Sequence, residues 1–159
     1  MSQQTEALIA EARRYLGVQE KPKLSNRGTQ IDYWIAECGL DPAGAYPWCA
    51  AFVGQVGRQA LGHTWPVPRT ASCAAIAAWA EQLGKHRTSP WPGDLFLLWE
   101  PDLHPARYGH VGIVTEVGAR DFGTIEGNTN PGGSRDGFGV CARRRPFGGR
   151  TTFVRWENA

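Results

Sequence analysis

No apolar run in this chain is long enough to cross a bilayer as a helix. Its first residues, Met1 to Gln4, carry neither the positive charge nor the apolar stretch of a secretory leader. The expectation is a chain made in the cytoplasm, without membrane insertion, that reaches any target in the periplasm or cell wall by release or delivery. The four cysteines, Cys38, Cys49, Cys73 and Cys141, never fall at Cys-x-x-Cys spacing, which argues against a zinc knuckle. A cytoplasmic origin argues against obligatory disulfides. Cys38, Cys73 and Cys141 are expected to pack as small buried apolar groups, with a Cys38–Cys73 bridge left open. The acids Asp32, Asp41, Asp94, Asp102, Asp121 and Asp136 do not gather at calcium-loop spacing. No Gly-rich loop leads into a helix with Lys-Ser or Lys-Thr. No metal and no cofactor are therefore expected. A net charge of +2 is too weak to point to nucleic acid, though it suits an anionic polymer. With no repeat, linker or low-complexity segment, residues 1–159 are expected to form a single domain and a monomer.

Apolar periodicity divides the chain into two halves. Helices are expected over Thr5–Leu16, Gly28–Cys38, Cys49 to near Gly62, and Thr70–Leu83, with Thr5 capping the first and Ser72 or Thr70 the last. The second half reads as short strands: Leu95–Trp99, His110–Val117, Asp121–Glu126, Val140–Arg144 and Thr151–Trp156. Gly127–Gly139 reads as a loop. Helices followed by strands give an α+β fold, with N-terminal helices packed on a C-terminal antiparallel sheet.

The stretch Tyr46-Pro47-Trp48-Cys49-Ala50-Ala51-Phe52-Val53 places a proline in the turn before a helix and Cys49 at that helix's N-terminus. Free N–H groups and the positive end of the dipole converge there, and a thiol in that field ionises more easily. The plain alternative is a structural cysteine that only packs. A nucleophilic thiol needs a base, and the base needs a group to hold it. His63, His86 and His104 sit in loops or at helix ends, whereas His110 opens a strand.

Suppose His110–Val117 and Asp121–Asn128 pair across a three-residue turn centred on Ala119. His110 then lies opposite Asn128 and Gly112 opposite Glu126, all on one face. Glu126 is a diagonal neighbour of His110, and Gly112 leaves room beside the ring. A one-residue slip would undo this. Glu126 and Asn128 become two candidate orienters for the His110 imidazole, against the alternative of a turn-forming pair. Arg143-Arg144-Arg145 reads as a solvated edge strand or an anion site. Trp48, Trp99 and Tyr108 either flank a groove or fill the core.

Tyr46–Val53, Pro92-Gly93-Asp94-Leu95, Gly109-His110-Val111-Gly112-Ile113-Val114 and Glu126-Gly127-Asn128 occur in an order that resembles the CHAP domain. That family comprises cysteine, histidine-dependent amidohydrolases and peptidases within the papain-like and NlpC-like set. The resemblance implies a papain-like fold and hydrolysis of an amide bond in bacterial peptidoglycan, either at N-acetylmuramoyl-L-alanine or within the stem peptides and cross-bridges. It implies Cys49 as nucleophile, His110 as base, and Glu126 and Asn128 at the orienting positions. Some members carry a calcium site of clustered acids before the cysteine, which this chain lacks. The expected role is a phage endolysin. The alternatives are a secreted interbacterial amidase of the same chemistry and a non-catalytic wall-binding module on the same fold.

Overall fold

The amphipathic first half folds as four α-helices in a computed structural model that describes residues 1–130 and 137–158. Helix α1 (Gln3–Arg14) is capped by Ser2, whose side chain accepts from the Thr5 N–H at 3.0 Å. Thr5, expected as the cap, therefore lies inside the first turn and is buried. Helix α2 (Thr29–Glu37) buries Ile31, Trp34 and Ile35. Helix α3 (Cys49–Leu61) is the central one, and every residue from Cys49 to Gly57 is buried. Helix α4 (Cys73–Gln82) starts three residues later than Thr70, because Ser72 is the cap and accepts from the Ala75 N–H.

The second half folds as one antiparallel sheet of six strands: β1 (His86–Arg87), β2 (Leu95–Glu100), β3 (Arg107–Val117), β4 (Asp121–Thr129), β5 (Gly139–Pro146) and β6 (Thr151–Val154). Their order is β1-β6-β2-β3-β4-β5. This is the α+β arrangement expected from the periodicities. Several details differ from the sequence reading: β6 stops at Val154, two residues short of Trp156, and β5 runs on to Pro146. His86 pairs with Val154 in a short strand rather than lying in a loop. Strand β3 begins at Arg107, ahead of His110. Strand β4 runs on to Thr129, so Gly127 and Asn128 belong to it and not to the expected loop; residues 131–136 of that loop, Asp136 among them, lie outside the described residues.

Strand alternation splits the buried side chains between two faces. Leu95, Leu97, Val111, Ile113, Ile125, Val140 and Val154 join the helices in the main core. Phe96, Val114, Phe122 and Phe153 form a smaller cluster on the other face. The β3–β4 hairpin does not close as expected. Val117 pairs with Phe122, one residue out of the simple register, and the ladder shifts between Val114 and Glu116. A bulge at Thr115 thus takes up the extra turn residue. Beyond it, Val114 pairs with Thr124 and Ile113 with Ile125, the register that sets Gly112 against Glu126.

The ladder goes no further than Ile113 and Ile125, and the start of α3 packs against the open end. A Cβ on Gly127 would lie 2.7 Å from Phe52 Cβ and 2.8 Å from the Trp48 ring, so β4 approaches α3 closely there. Trp48 is fully buried, and its indole N–H donates to Glu20 Oε1 at 2.8 Å. Of the groove alternatives, Trp48 is a core residue. Trp99 is partly exposed and meets Tyr108 edge-on, ring centres 5.2 Å apart.

Candidate active site

Cys49 is the first residue of α3 and is 2% exposed. No side chain caps this helix and no acid occupies its first turn, so nothing on α3 itself offsets the positive end of the dipole at the sulfur. Cys73, the first residue of α4, sets its sulfur 3.4 Å from Cys49 Sγ, where its S–H donates to the thiolate form, and the backbone N–H of Val111 favours that form too.

His110 is 1% exposed and packs against Phe96 at 5.8 Å between ring centres. Its Nε2 donates to Glu126 Oε1 at 2.7 Å. Its Nδ1 makes no hydrogen bond of regular geometry. The imidazole and the Cys49 thiol still shift each other's titration by hydrogen bonding and charge, so Nδ1 is the nitrogen turned to the sulfur. Such contacts are often long until substrate is bound.

Glu126 is fully buried and its oxygens are saturated. Arg145 grips it with two bonds, Nε to Oε2 at 2.7 Å and Nη2 to Oε1 at 2.6 Å, and Thr124 Oγ1 donates to Oε2 at 2.6 Å. Two cations facing one buried carboxylate keep it ionised. Burial alone would raise the Glu126 pKa, but Arg145 and His110 outweigh it and hold the group at about 2. Burial would likewise lower His110, but hydrogen bonds to Cys49 and Glu126 prevail and carry it up to about 9. The Cys49 thiol is pushed well down, first by the Cys73 hydrogen bond and then by His110, against the cost of burial. Cys73 is pushed well up by the same bond and by its own burial. These shifts favour a thiolate at Cys49 beside an imidazolium, with the proton kept on Cys73.

Of the four residues singled out in the sequence, His110 and Glu126 are hydrogen-bonded, and Cys49 lies near enough to the imidazole for each to shift the other's titration. Asn128 makes no hydrogen bond to His110. Its φ of +55° turns it into the left-handed region where the β4–β5 register shifts, and its buried Oδ1 has no partner among the described residues. It lines a groove of about 560 Å³ together with Pro47, Ser72, Cys73, Tyr108 and Gly109. A larger open cleft of about 990 Å³ lies along residues 16–32 and is lined by none of these side chains.

Sequence reasoning missed Arg145 and Cys73. The Arg143–Arg145 run read as solvent-facing, and Arg144 does pair with Asp121 and Glu116 on the exposed side. Arg145 points the other way and its side chain is 14% exposed. The signal was available in the alternation: β5 pairs Cys141 with Glu126 and Arg143 with Thr124, so Arg145 shares their face. Cys73 carried no such signal, since only the tertiary fold brings the start of α4 to the start of α3.

Residues 41–128, more than half of the chain, match the CHAP domain, from the turn before Cys49 to Asn128. The chain belongs to the CHAP domain family. CHAP domains are hydrolytic amidases and peptidases acting on peptidoglycan, and helices on an antiparallel sheet are the papain-like layout expected of one. No curated protein and no solved structure gave a match. The residues ahead of Cys49 do not fit the calcium site that some CHAP domains carry. The Asp41 side chain accepts from the Ala43 N–H at 2.9 Å, Glu37 faces Arg69 at 3.6 Å, and Gly44–Trp48 holds no carboxylate.

Proposed function

We propose that this CHAP domain hydrolyses an amide bond in bacterial peptidoglycan by cysteine nucleophilic catalysis. The observation that carries the reading is the buried relay Arg145–Glu126–His110–Cys49, which ends on an uncapped helix start beside an open groove. The Cys49 thiolate attacks the amide carbonyl. The negative oxygen of the tetrahedral intermediate is stabilised by backbone N–H groups at the start of α3, that of Cys49 among them. His110, already protonated, gives its Nδ1 proton to the leaving amine. It then takes a proton from the water that releases the acyl group. Glu126 fixes the imidazole and balances its charge, and Arg145 keeps Glu126 ionised. Asn128 lines the groove, its Oδ1 has no partner among the described residues, and in this reading it accepts from the substrate backbone.

The relay draws on β5, beyond the matched residues, which supports one catalytic unit extending past residue 128. We extend the reading to a lytic, endolysin-type role, in which the chain acts on the wall after release from the cytoplasm. The test is mass spectrometry of purified Gram-negative peptidoglycan digested with the wild type and with Cys49→Ala. New amine termini at a muramoyl-alanine or stem-peptide bond are expected from the wild type alone. Equal wall effects from both proteins would instead identify a binding module. In cells expressing the chain, lysis is expected only when the inner membrane is permeabilised.

A further inference from the structure

The nucleophile has a second sulfur against it that the hydrolytic reading does not need. Cys49 and Cys73 are each the first residue of a long helix, α3 and α4, and their Sγ atoms lie 3.4 Å apart. Both are buried, at 2% and 6% exposure, and neither is in a disulfide. Cys38, on α2's C-terminal cap, is half-buried and lines the same groove as Cys73, but the sulfur against Cys49 is that of Cys73; Cys141 is half-buried on β5. Cys73 also lines the groove, so a small reagent that enters the groove reaches Cys73, whose sulfur is 3.4 Å from Cys49 Sγ.

Resting on the hydrolase reading, we infer that Cys49 and Cys73 form a covalent modification site: a peroxide converts them to an intramolecular disulfide that silences the nucleophile reversibly. The step balances as follows. The Cys49 thiolate attacks one oxygen of hydrogen peroxide, the O–O bond breaks, and the departing hydroxide takes a proton from His110. That leaves water and a Cys49 sulfenic acid. The Cys73 sulfur then attacks the sulfenic sulfur, the S–O bond breaks, and the departing hydroxide takes the Cys73 proton to leave as a second water. Two thiols have been oxidised and one peroxide reduced.

The bonded distance of about 2.04 Å requires the sulfurs to close by little more than an ångström. Without a resolving thiol at this range, the sulfenic acid continues to the irreversible sulfinic acid. The geometry therefore gives the enzyme an off state that any thiol reductant can undo. Each helix start contributes in its own way. At α3 it favours the thiolate that meets the oxidant, and at α4 it delivers the proton-bearing partner.

The experiment treats the full chain with a small excess of hydrogen peroxide, quenches it in acid, and maps its peptides by mass spectrometry. Cleavage after Leu40 and Trp48 separates Cys49 from Cys38. The expected product has lost about 2 Da and contains a Cys49–Cys73 cross-link. Dithiothreitol should restore Cys49 alkylation by iodoacetamide to most of its untreated rate. In Cys73→Ala and Cys73→Ser, each compared with its own untreated rate, peroxide should carry Cys49 to sulfinic acid and recovery should be lost. Sulfinic acid at Cys49 in the wild type with Cys73 left as a free thiol would overturn the inference. So would a cross-link from Cys49 to Cys38 or Cys141. The wild-type map decides even if neither variant folds. Because alkylation and mass need no wall substrate, a chain that forms the disulfide but digests no peptidoglycan sinks only the hydrolase reading.

Discussion

Glu126 orients His110 by one hydrogen bond and is itself the buried counter-charge of Arg145. Glu126→Gln keeps the shape but removes the charge. His110 should then fall from about 9 toward its ordinary value, and Cys49 should lose thiolate at neutral pH. Hydrolysis is expected to drop by roughly 10²–10⁴-fold. The check is the pH profile of Cys49 alkylation, whose rise should move to higher pH in the variant. An unmoved profile would remove Glu126 from the relay. Arg145→Ala tests the other contact. It leaves the buried carboxylate with His110 and Thr124 as its partners, and breaking such a pair costs up to about 3–5 kcal/mol, to be read from denaturant unfolding. The sequence made Cys49, His110 and Glu126 legible because each sits at a marked place: a helix start, a strand start, and the facing strand. It hid Arg145 because a run of three arginines looks the same whether its alternate members face water or a buried acid.

Among the elements, the β3–β4 hairpin shows how a correct site can follow from an incorrect turn. The simple pairing assumed three turn residues, yet Gly118 N–H bonds back to Asp121 O and the turn is longer. The bulge at Thr115 absorbs the difference before the strands reach Gly112 and Glu126. Had it lain on the other side of Gly112, His110 and Glu126 would face apart. A single bulge leaves no sequence mark here, since Thr115 is an ordinary strand residue. The close approach of β4 to α3 is testable. In Gly127→Ala the new methyl would press on Phe52 and Trp48, the residues that flank Cys49. Relief requires α3 to move, so a loss of about 1–3 kcal/mol in stability is expected, with hydrolysis falling further than unfolding alone explains. Gly148→Ala, where nothing lies within 4 Å of the added atom, is the control. It should change stability by less than about 0.5 kcal/mol. Equal effects from the two substitutions would show that the approach of β4 to α3 does not fix the nucleophile.

For the molecule as a whole, the relay links catalysis to global stability through pH. The Glu126 pKa is depressed in the folded state, to about 2 from an ordinary 4.5. Its contribution is therefore present above 4.5 and is lost as pH falls toward 2. The His110 pKa is raised, from 6.5 to about 9, so its contribution is complete below 6.5 and is lost as pH rises through 9. Asp94 opposes the acid limb. Its burial outweighs the Arg155 pair and raises its pKa, so its protonated form is favoured on folding. On the alkaline side the Cys49 thiol opposes His110: its pKa is lowered on folding, so the fold releases the Cys49 proton where it retains that of His110. The wild type should therefore lose stability chiefly in acid, as pH falls below 4.5 and Glu126 protonates. Hydrolysis needs the imidazolium to protonate the leaving amine, so it should fail as His110 deprotonates near 9. Urea unfolding from pH 3 to pH 10 should show the acid decline in the wild type and, in Cys49→Ala, which removes the opposing thiol, an added decline from neutrality upward. Combining Cys49→Ala with His110→Ala should flatten that alkaline decline and leave the acid limb, which Arg145 still supports. An alkaline limb of equal steepness in the double variant would mean that other groups govern it, and that the imidazolium is not stored in the fold.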